Sequence, residues 1–232
     1  MRFSLVIPCY NEAANLPLLL ERCKGLADKP GVEVVLVDNG STDSSAQVLQ
    51  ELLPAYPGCR SVRVEKNQGY GFGIVAGLKA AKGEILGWTH ADMQTDPQDA
   101  LRGLELFEKH GNAIFVKGRR YGRPLMDVVF TVGMSVFETI LLMRPMWDIN
   151  AQPTMFSRTF FESWSTPPDD FSLDLFAYYQ AQTYGLKVHR FPVKFGERAH
   201  GVSHWNVNWA AKRKFIRRTV DFSLQLKKKI SA

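Results

Sequence analysis

Alternation is the feature that most constrains this chain. Short apolar runs rich in β-branched residues, at 3–8, 32–38, 61–65, 84–88 and 113–117, take turns with helical patterns at 12–26, 43–53, 71–81 and 97–110. In the first helical stretch Leu16, Leu19, Leu20 and Cys23 recur on one face, at the period of an α-helix. Strand and helix in turn predict an α/β fold, a mostly parallel central sheet with helices on both faces. Such sheets bind ligands at the carboxyl ends of their strands. Here those ends read Pro8-Cys9-Tyr10-Asn11-Glu12, Asp38-Asn39-Gly40-Ser41 and His90-Ala91-Asp92. Polar groups from three strands are therefore expected in one crevice.

Beyond residue 118 the pattern loosens. Pro124 suits the first turn of a helix over 125–143. That segment is apolar except for Asp127, Thr131, Ser135 and Glu138, which fall in one narrow stripe. It is long enough to span a bilayer, but two carboxylates make a lone spanning helix costly. A buried or membrane-lying helix is expected instead. A helix at 172–184, a strand at 187–193, a polar loop at 196–206 and a basic helix follow, dividing the chain into a body (1–208) and a tail (209–232).

The chain's 232 residues, 45% of them hydrophobic, suit one sizeable folded body. Its first residues, MRFSLVIPCYNE, do not read as a signal peptide, and Cys9, Cys23 and Cys59 have neither metal-ligand spacing nor an even number. The expectation is a cytoplasmic protein. The net charge of +6 belongs to the tail, which carries +7 and leaves the body at −1. There Phe215, Ile216, Thr219, Phe222, Leu226 and Ile230 share one side of a helix, with Arg213, Lys214, Arg217, Arg218 and Lys228 on the other. Such a helix either lies on an anionic bilayer or docks on the body with its charges solvated. No nucleic-acid recognition motif accompanies it, so nucleic acid is not an expected partner.

The strand ends carry chemistry. Tyr10 can stack on a base, Glu12 can accept from base or ribose, and Asp38 can pair with a ring N–H; equally, an acid such as Glu12 suits a helix's first turn. In NQGYGFG the glycines precede a helix, but G-x-G-x-G lacks the spacing of a dinucleotide fingerprint. A dinucleotide enzyme is thus a minor alternative.

Together VIPCYNE, LVDNGSTD, NQGYGFGIVAGLKAAKGE, HADMQTDP, VKGRR and ERAHGVSHW resemble, in order and spacing, the family 2 glycosyltransferases. The branch with dolichol-phosphate mannosyltransferase and bacterial polyprenyl-phosphate transferases is the most similar. The resemblance implies a GT-A fold, a UDP- or GDP-sugar donor, a divalent metal (Mn2+ or Mg2+) and transfer with inversion. It places Pro8, Tyr10, Glu12 and Asp38 at the nucleotide and Asp92 and Gln94 at the metal. His90 stands for a usual aspartate and touches either ribose or metal. Arg120 would grip an anionic acceptor. Gln152 and Asp174 match sugar- or acceptor-side positions, and Arg198 and His204 a loop closing on the diphosphate, His204 in place of a lysine. Relatives supply a further arginine from the helix after VKGRR; between Pro124 and Met143 this chain has none.

The implied acceptor is a polyprenyl phosphate or lipid-linked glycan at the membrane's inner face. A hydroxyl acceptor would need a base, for which Asp169, Asp170 and Asp174 are candidates; a lipid phosphate needs none. Transfer to a sugar hydroxyl in cell-surface polysaccharide synthesis, and a non-catalytic sugar-nucleotide-binding protein, are the alternatives.

Overall fold

This computed structural model of the chain describes residues 2–199 and 209–230, the side chains at 209–212, 214, 215, 229 and 230 excepted. Among the described residues one sheet has the strand order β3-β2-β1-β4-β6-β5-β7. Its strands are β1 (Phe3–Cys9), β2 (Val32–Asn39), β3 (Cys59–Val64), β4 (Ile85–Trp88), β5 (Ile114–Tyr121), β6 (Thr154–Ser157) and β7 (Lys187–Lys194). β6 runs antiparallel to β4 and β5, while the other pairings are parallel. The helices are α1 (Leu16–Ala27), α2 (Ser45–Leu52), α3 (Tyr70–Ala80), α4 (Asp99–His110), α5 (Leu125–Leu142), α6 (Arg158–Glu162), α7 (Leu173–Thr183) and α8 (Trp209–Ile230).

Strand periodicity sorts the core into two layers. Leu5, Ile7 and Leu36 face Leu16, Leu20 and Phe107, whereas Val6, Val35 and Val37 face Ile74, Leu78 and Phe176. Because both faces are covered, β1 and β2 are buried at nearly every position, with apolar runs at their centres. Each such side chain withdrawn from water contributes about 1.5–3 kcal/mol before entropy is counted. Gly77 lets α3 lie close on this layer: a Cβ there would stand 2.4 Å from Val6 and 2.6 Å from Val37.

β6 and α6 were not expected. The TMFS strand is four residues long and follows a cis Gln152–Pro153 bond, too short for a period to show. β5 runs on to Tyr121, past the expected end at Lys117, because Arg119 extends toward solvent and Arg120 turns to Asp148 while their backbone pairs with β7.

α5 reverses the usual arrangement. Its polar stripe turns inward, with Ser135 and Glu138 buried, and its apolar residues turn outward. Leu125, Val129, Val132, Val136, Ile140 and Met143 form an exposed stripe, Leu125 at 76%, Ile140 at 69% and Met143 at 84%. By length and composition α5 is long and apolar enough to cross a membrane, yet its carboxylate Glu138 is held inside by Ser223 Oγ of α8 at 2.8 Å. From α8, Leu226 also enters the core, and Arg213, Arg217 and Lys228 are exposed.

Candidate active site

The turns after β1 and β2 are stapled together. Asn11, in a left-handed conformation (φ 56°), accepts the Thr42 N–H on Oδ1 at 2.8 Å, and the Glu12 N–H donates to Ser45 Oγ at 3.0 Å. Asp38 is buried at the end of β2; its Oδ1 accepts the Ser41 N–H at 2.9 Å, with Arg63 3.4 Å from Oδ2. Glu12 accepts from Asn15 at 2.5 Å. Burial pushes its carboxyl up and Asp92 adds to that, against the Asn15 hydrogen bond and Arg198, which pull it down. Tyr10 stands exposed at the rim and Pro8 is half-buried beneath it in the chain.

After β4 the chain turns through Met93, also left-handed (φ 62°). Asp92 is buried: Oδ1 accepts the Gln94 N–H at 3.2 Å, and Oδ2 pairs with Arg198 at 2.9 Å. Gln94 holds the segment carrying Arg198, its Nε2 donating to Gly196 O at 3.2 Å and its carbonyl accepting the Gly196 N–H at 2.8 Å. His90 lies half-buried, its ring 5.6 Å from Tyr70, which stacks on Phe171 at 4.5 Å. The guanidinium of Arg198 stands in for a cation on Asp92, so the position accepts positive charge. No group of three His, Cys, Asp or Glu is gathered among the described residues. A divalent ion fits here with one carboxylate and one amide, its remaining positions left to diphosphate oxygens and water. His204 lies outside the described residues.

The glycines of NQGYGFG serve packing. A Cβ on Gly71 would meet Pro168 O at 2.3 Å, and the Phe72 N–H donates to Asp169 O at 3.0 Å. Protein backbone thus fills the seat that a dinucleotide's phosphates would take at the start of α3.

On the other side of the crevice two arginines converge on one carboxylate. Arg120 Nε donates to Asp148 Oδ1 at 2.9 Å and its Nη2 to the same oxygen, while the Arg120 N–H reaches Oδ2 at 3.1 Å. Arg123 Nη2 lies 4.0 Å away and its Nη1 donates to Thr131 Oγ1 at 2.9 Å. Burial raises the Asp148 carboxyl, but the charge and hydrogen bonds of Arg120 outweigh it and hold the group low. Two cations thus meet Asp148, and Asp127 of α5 lies close enough to Arg123 to act on its charge. Arg120 borders a cavity of about 60 Å³, walled by Thr131 and Ser135 of α5, Asn150, Phe171 and Thr219 of α8. Sequence reasoning missed Arg123, which precedes the helix instead of lying on it; its signal was a third arginine closely following Arg119 and Arg120.

Asp174 and Gln152 sit deeper. Gln152 Nε2 donates to Asp174 Oδ1 at 2.7 Å, and both side chains are buried. Asp170 accepts the Ser172 N–H at 2.9 Å and faces Arg218 at 3.4 Å. The structure therefore gathers Glu12, Asp92, Gln94 and Arg198 in one place. It sets Arg120 beside a separate cavity and places Asp174 with Gln152 beneath.

Solved structures share this fold. Glucosyl-3-phosphoglycerate synthase from Mycobacterium tuberculosis, in complex with Mn2+, UDP and glucosyl-3-phosphoglycerate, matches with a TM-score of 0.68 at 20% identity, over 97% of this chain and 79% of that one. A mannosyltransferase from Pyrobaculum calidifontis, in complex with GDP-mannose and Mn2+, matches at 0.65 and 21%, over 91% and 59%. Both carry the GT-A fold. In sequence, undecaprenyl-phosphate 4-deoxy-4-formamido-L-arabinose transferase of Edwardsiella ictaluri is 42% identical over 106 residues, 44% of this chain. The same enzyme of Pseudomonas fluorescens is 37% identical over 128 residues, 53% of this chain. The chain spans about a third of the length of these curated relatives, 32% and 37%. The glycosyl transferase family 2 model matches residues 4–167, from β1 to the chain just before α7, and the chain belongs to that family of glycosyltransferases.

Proposed function

We propose that this chain carries a metal-dependent, inverting transfer of a glycosyl unit from a nucleotide-diphosphate sugar to a polyprenyl phosphate, at the cytoplasmic face of a membrane. The observation that carries the acceptor is the pairing of Arg120 and Arg123, gathered around Asp148, with the outward apolar face of α5. A guanidinium fork suits a phosphate. Apolar side chains beside it suit a polyprenyl tail and the lipid it lies in. The relatives named above act on undecaprenyl phosphate, which supports the same acceptor.

Each residue then has a role. Pro8, Tyr10, Glu12 and Asp38 receive the nucleotide, and His90 lies toward the ribose or the metal. Asp92 and Gln94 hold a divalent ion, Mn2+ or Mg2+, which neutralises the departing diphosphate. Arg198 leaves Asp92 to meet the diphosphate, and His204, which lies outside the described residues, is given the same ligand on the resemblance alone. Arg120 orients the acceptor phosphate. Gln152 and Asp174 support the sugar side.

Attachment combines α5 and α8. Exposed apolar side chains of α5 enter the acyl boundary, and each exposed base of α8 adds about 1 kcal/mol on an anionic surface. The test is transfer of labelled sugar from a panel of UDP- and GDP-sugars to polyprenyl phosphate in vesicles with Mn2+. Organic-phase label that appears with the phosphate and not with the free polyprenol is expected. Equal labelling of polyprenol, or labelling of a soluble glycan alone, overturns the acceptor.

A further inference from the structure

Lys117 is a fully buried lysine in mid-sheet, facing Thr154 across the β5–β6 pair. Its Nζ donates to Thr154 Oγ1 at 2.6 Å and lies 3.9 Å from Asp174 Oδ1. The same carboxylate oxygen accepts Gln152 Nε2, while Gln152 Oε1 is buried without a hydrogen-bond partner. The Phe115 and Tyr178 rings each stand 5.9 Å from the ammonium. A buried ion is costly unless paired and hydrogen-bonded; here Thr154 supplies the hydrogen bond and Asp174 the opposite charge.

We propose that Lys117 is a positioning residue for glycosyl transfer: it ties Asp174 to the β5–β6 pair, makes that carboxylate the fixed acceptor that aims Gln152, and withholds it from proton abstraction. The inference rests on the reading that the acceptor is a phosphate. With a hydroxyl acceptor, the bond from anomeric carbon to diphosphate breaks as the new C–O bond forms, and the hydroxyl proton must pass to a base. A phosphate oxygen brings its electron pair without that proton, so the sugar moves and no base is consumed. Asp174, already engaged by an amide and an ammonium, is suited to hold and not to abstract. Burial pulls the Lys117 ammonium down to about 7; Asp174 and Asp148 hold it up, and Arg190 and Arg120 push it down further. The tie therefore loosens as the solution turns alkaline.

Lys117→Met, Asp174→Asn and the double variant separate the two roles, read by labelled transfer to polyprenyl phosphate, donor hydrolysis and melting temperature. Lys117→Met is expected to lower kcat by about 10- to 100-fold with donor KM little changed, and to flatten the alkaline limb of the pH–rate profile. The double variant should melt near the wild type and regain transfer over Lys117→Met, because an amide at 174 still accepts from Gln152 and no buried charge is left unpaired. Asp174→Asn and the double variant both folded and inert, with Lys117→Met at wild-type kcat, would be the pattern of a base and overturns the proposal. Should Lys117→Met fail to fold, Thr154→Val removes the hydrogen bond from Lys117 and the long one to Ala151 O while leaving the ammonium in place, and an unchanged kcat there overturns it as well. Wild-type protein that transfers nothing to polyprenyl phosphate refutes the acceptor instead, and donor hydrolysis then decides the role of Lys117.

Discussion

Arg198 and Asp92 form an ion pair at 2.9 Å, so the carboxylate at the end of β4 already has a cation on it. A metal bound there as proposed would compete with the arginine for one side chain. Mn2+ alone is expected to bind the wild type weakly and to bind tightly once a nucleoside diphosphate draws Arg198 away. Arg198→Ala should tighten Mn2+ binding without nucleotide by about tenfold, since a charge-assisted hydrogen bond contributes roughly 1.5–3 kcal/mol. The same change should weaken nucleotide binding. Paramagnetic resonance of free Mn2+ reads both, and equal Mn2+ affinities in the two proteins would refute the competition.

The acceptor role proposed for Arg120 can be tested by substitution. Arg120→Ala should lower kcat/KM for the lipid phosphate by about 10- to 100-fold, the loss of a charge-assisted contact. Nucleotide affinity, read by calorimetry, should not move. A matching fall in nucleotide binding would place Arg120 on the donor side instead.

Gly118 keeps that strand end in register. A Cβ there would fall 2.1 Å from Gln152 O, with Val193 at 2.8 Å on the other side. Gly118→Ala is expected to cost about 1–3 kcal/mol of stability, as overpacking does. Denaturant melts check this, and a wild-type midpoint would show that the strands separate freely.

The exposed face of α5 predicts membrane binding that can be lost without loss of fold. Val129→Asp with Val132→Asp should abolish co-sedimentation with anionic vesicles and leave the melting temperature nearly unchanged, because both side chains point outward. Deleting α8 is a poorer test, since Leu226 and Ser223 are part of the interior. Charge reversal at Arg213, Arg217 and Lys228 isolates the electrostatic share. Undiminished sedimentation of the α5 variant would contradict a membrane role for that helix.

Glu138 sets a pH dependence of stability. Its Oε2 is buried without a hydrogen-bond partner, and burial raises the carboxyl from 4.5 to about 7, the Ser223 hydrogen bond opposing. Between those values the folded chain keeps a proton that the unfolded chain releases, so stability falls as pH rises through that window. Glu138→Gln mimics the protonated form. It should match the wild type near pH 5 and exceed it near pH 8 by up to about 3 kcal/mol. Identical melts at both pH values would show that the Glu138 carboxyl ionises in the folded chain as it does in the unfolded one, with no cost of burial.

The strand–helix alternation over the first half of the chain was legible because strands buried on both faces read as unbroken apolar runs, as in Leu5-Val6-Ile7 and Val34-Val35-Leu36-Val37. The crevice was legible for the same reason: strand ends are where polarity returns, at Asn11-Glu12, Asp38 and Asp92. Lys117 was not, because a lysine after Phe115 and Val116 reads as the end of a strand, while the strand continues under a sheet partner. Nor was the orientation of α5. The sequence shows a polar stripe, but a stripe of Ser135 and Glu138 can face water or the protein, and only the packing against Ser223 decides.

The most direct test of the whole account is phosphorus and proton NMR of the product made from a nucleotide sugar and polyprenyl phosphate with Mn2+. The account predicts a sugar joined through its anomeric carbon to the lipid phosphate, of opposite configuration to the donor, and no such product from Asp92→Ala. A sugar on a hydroxyl oxygen, a retained configuration, or full turnover by Asp92→Ala would contradict it.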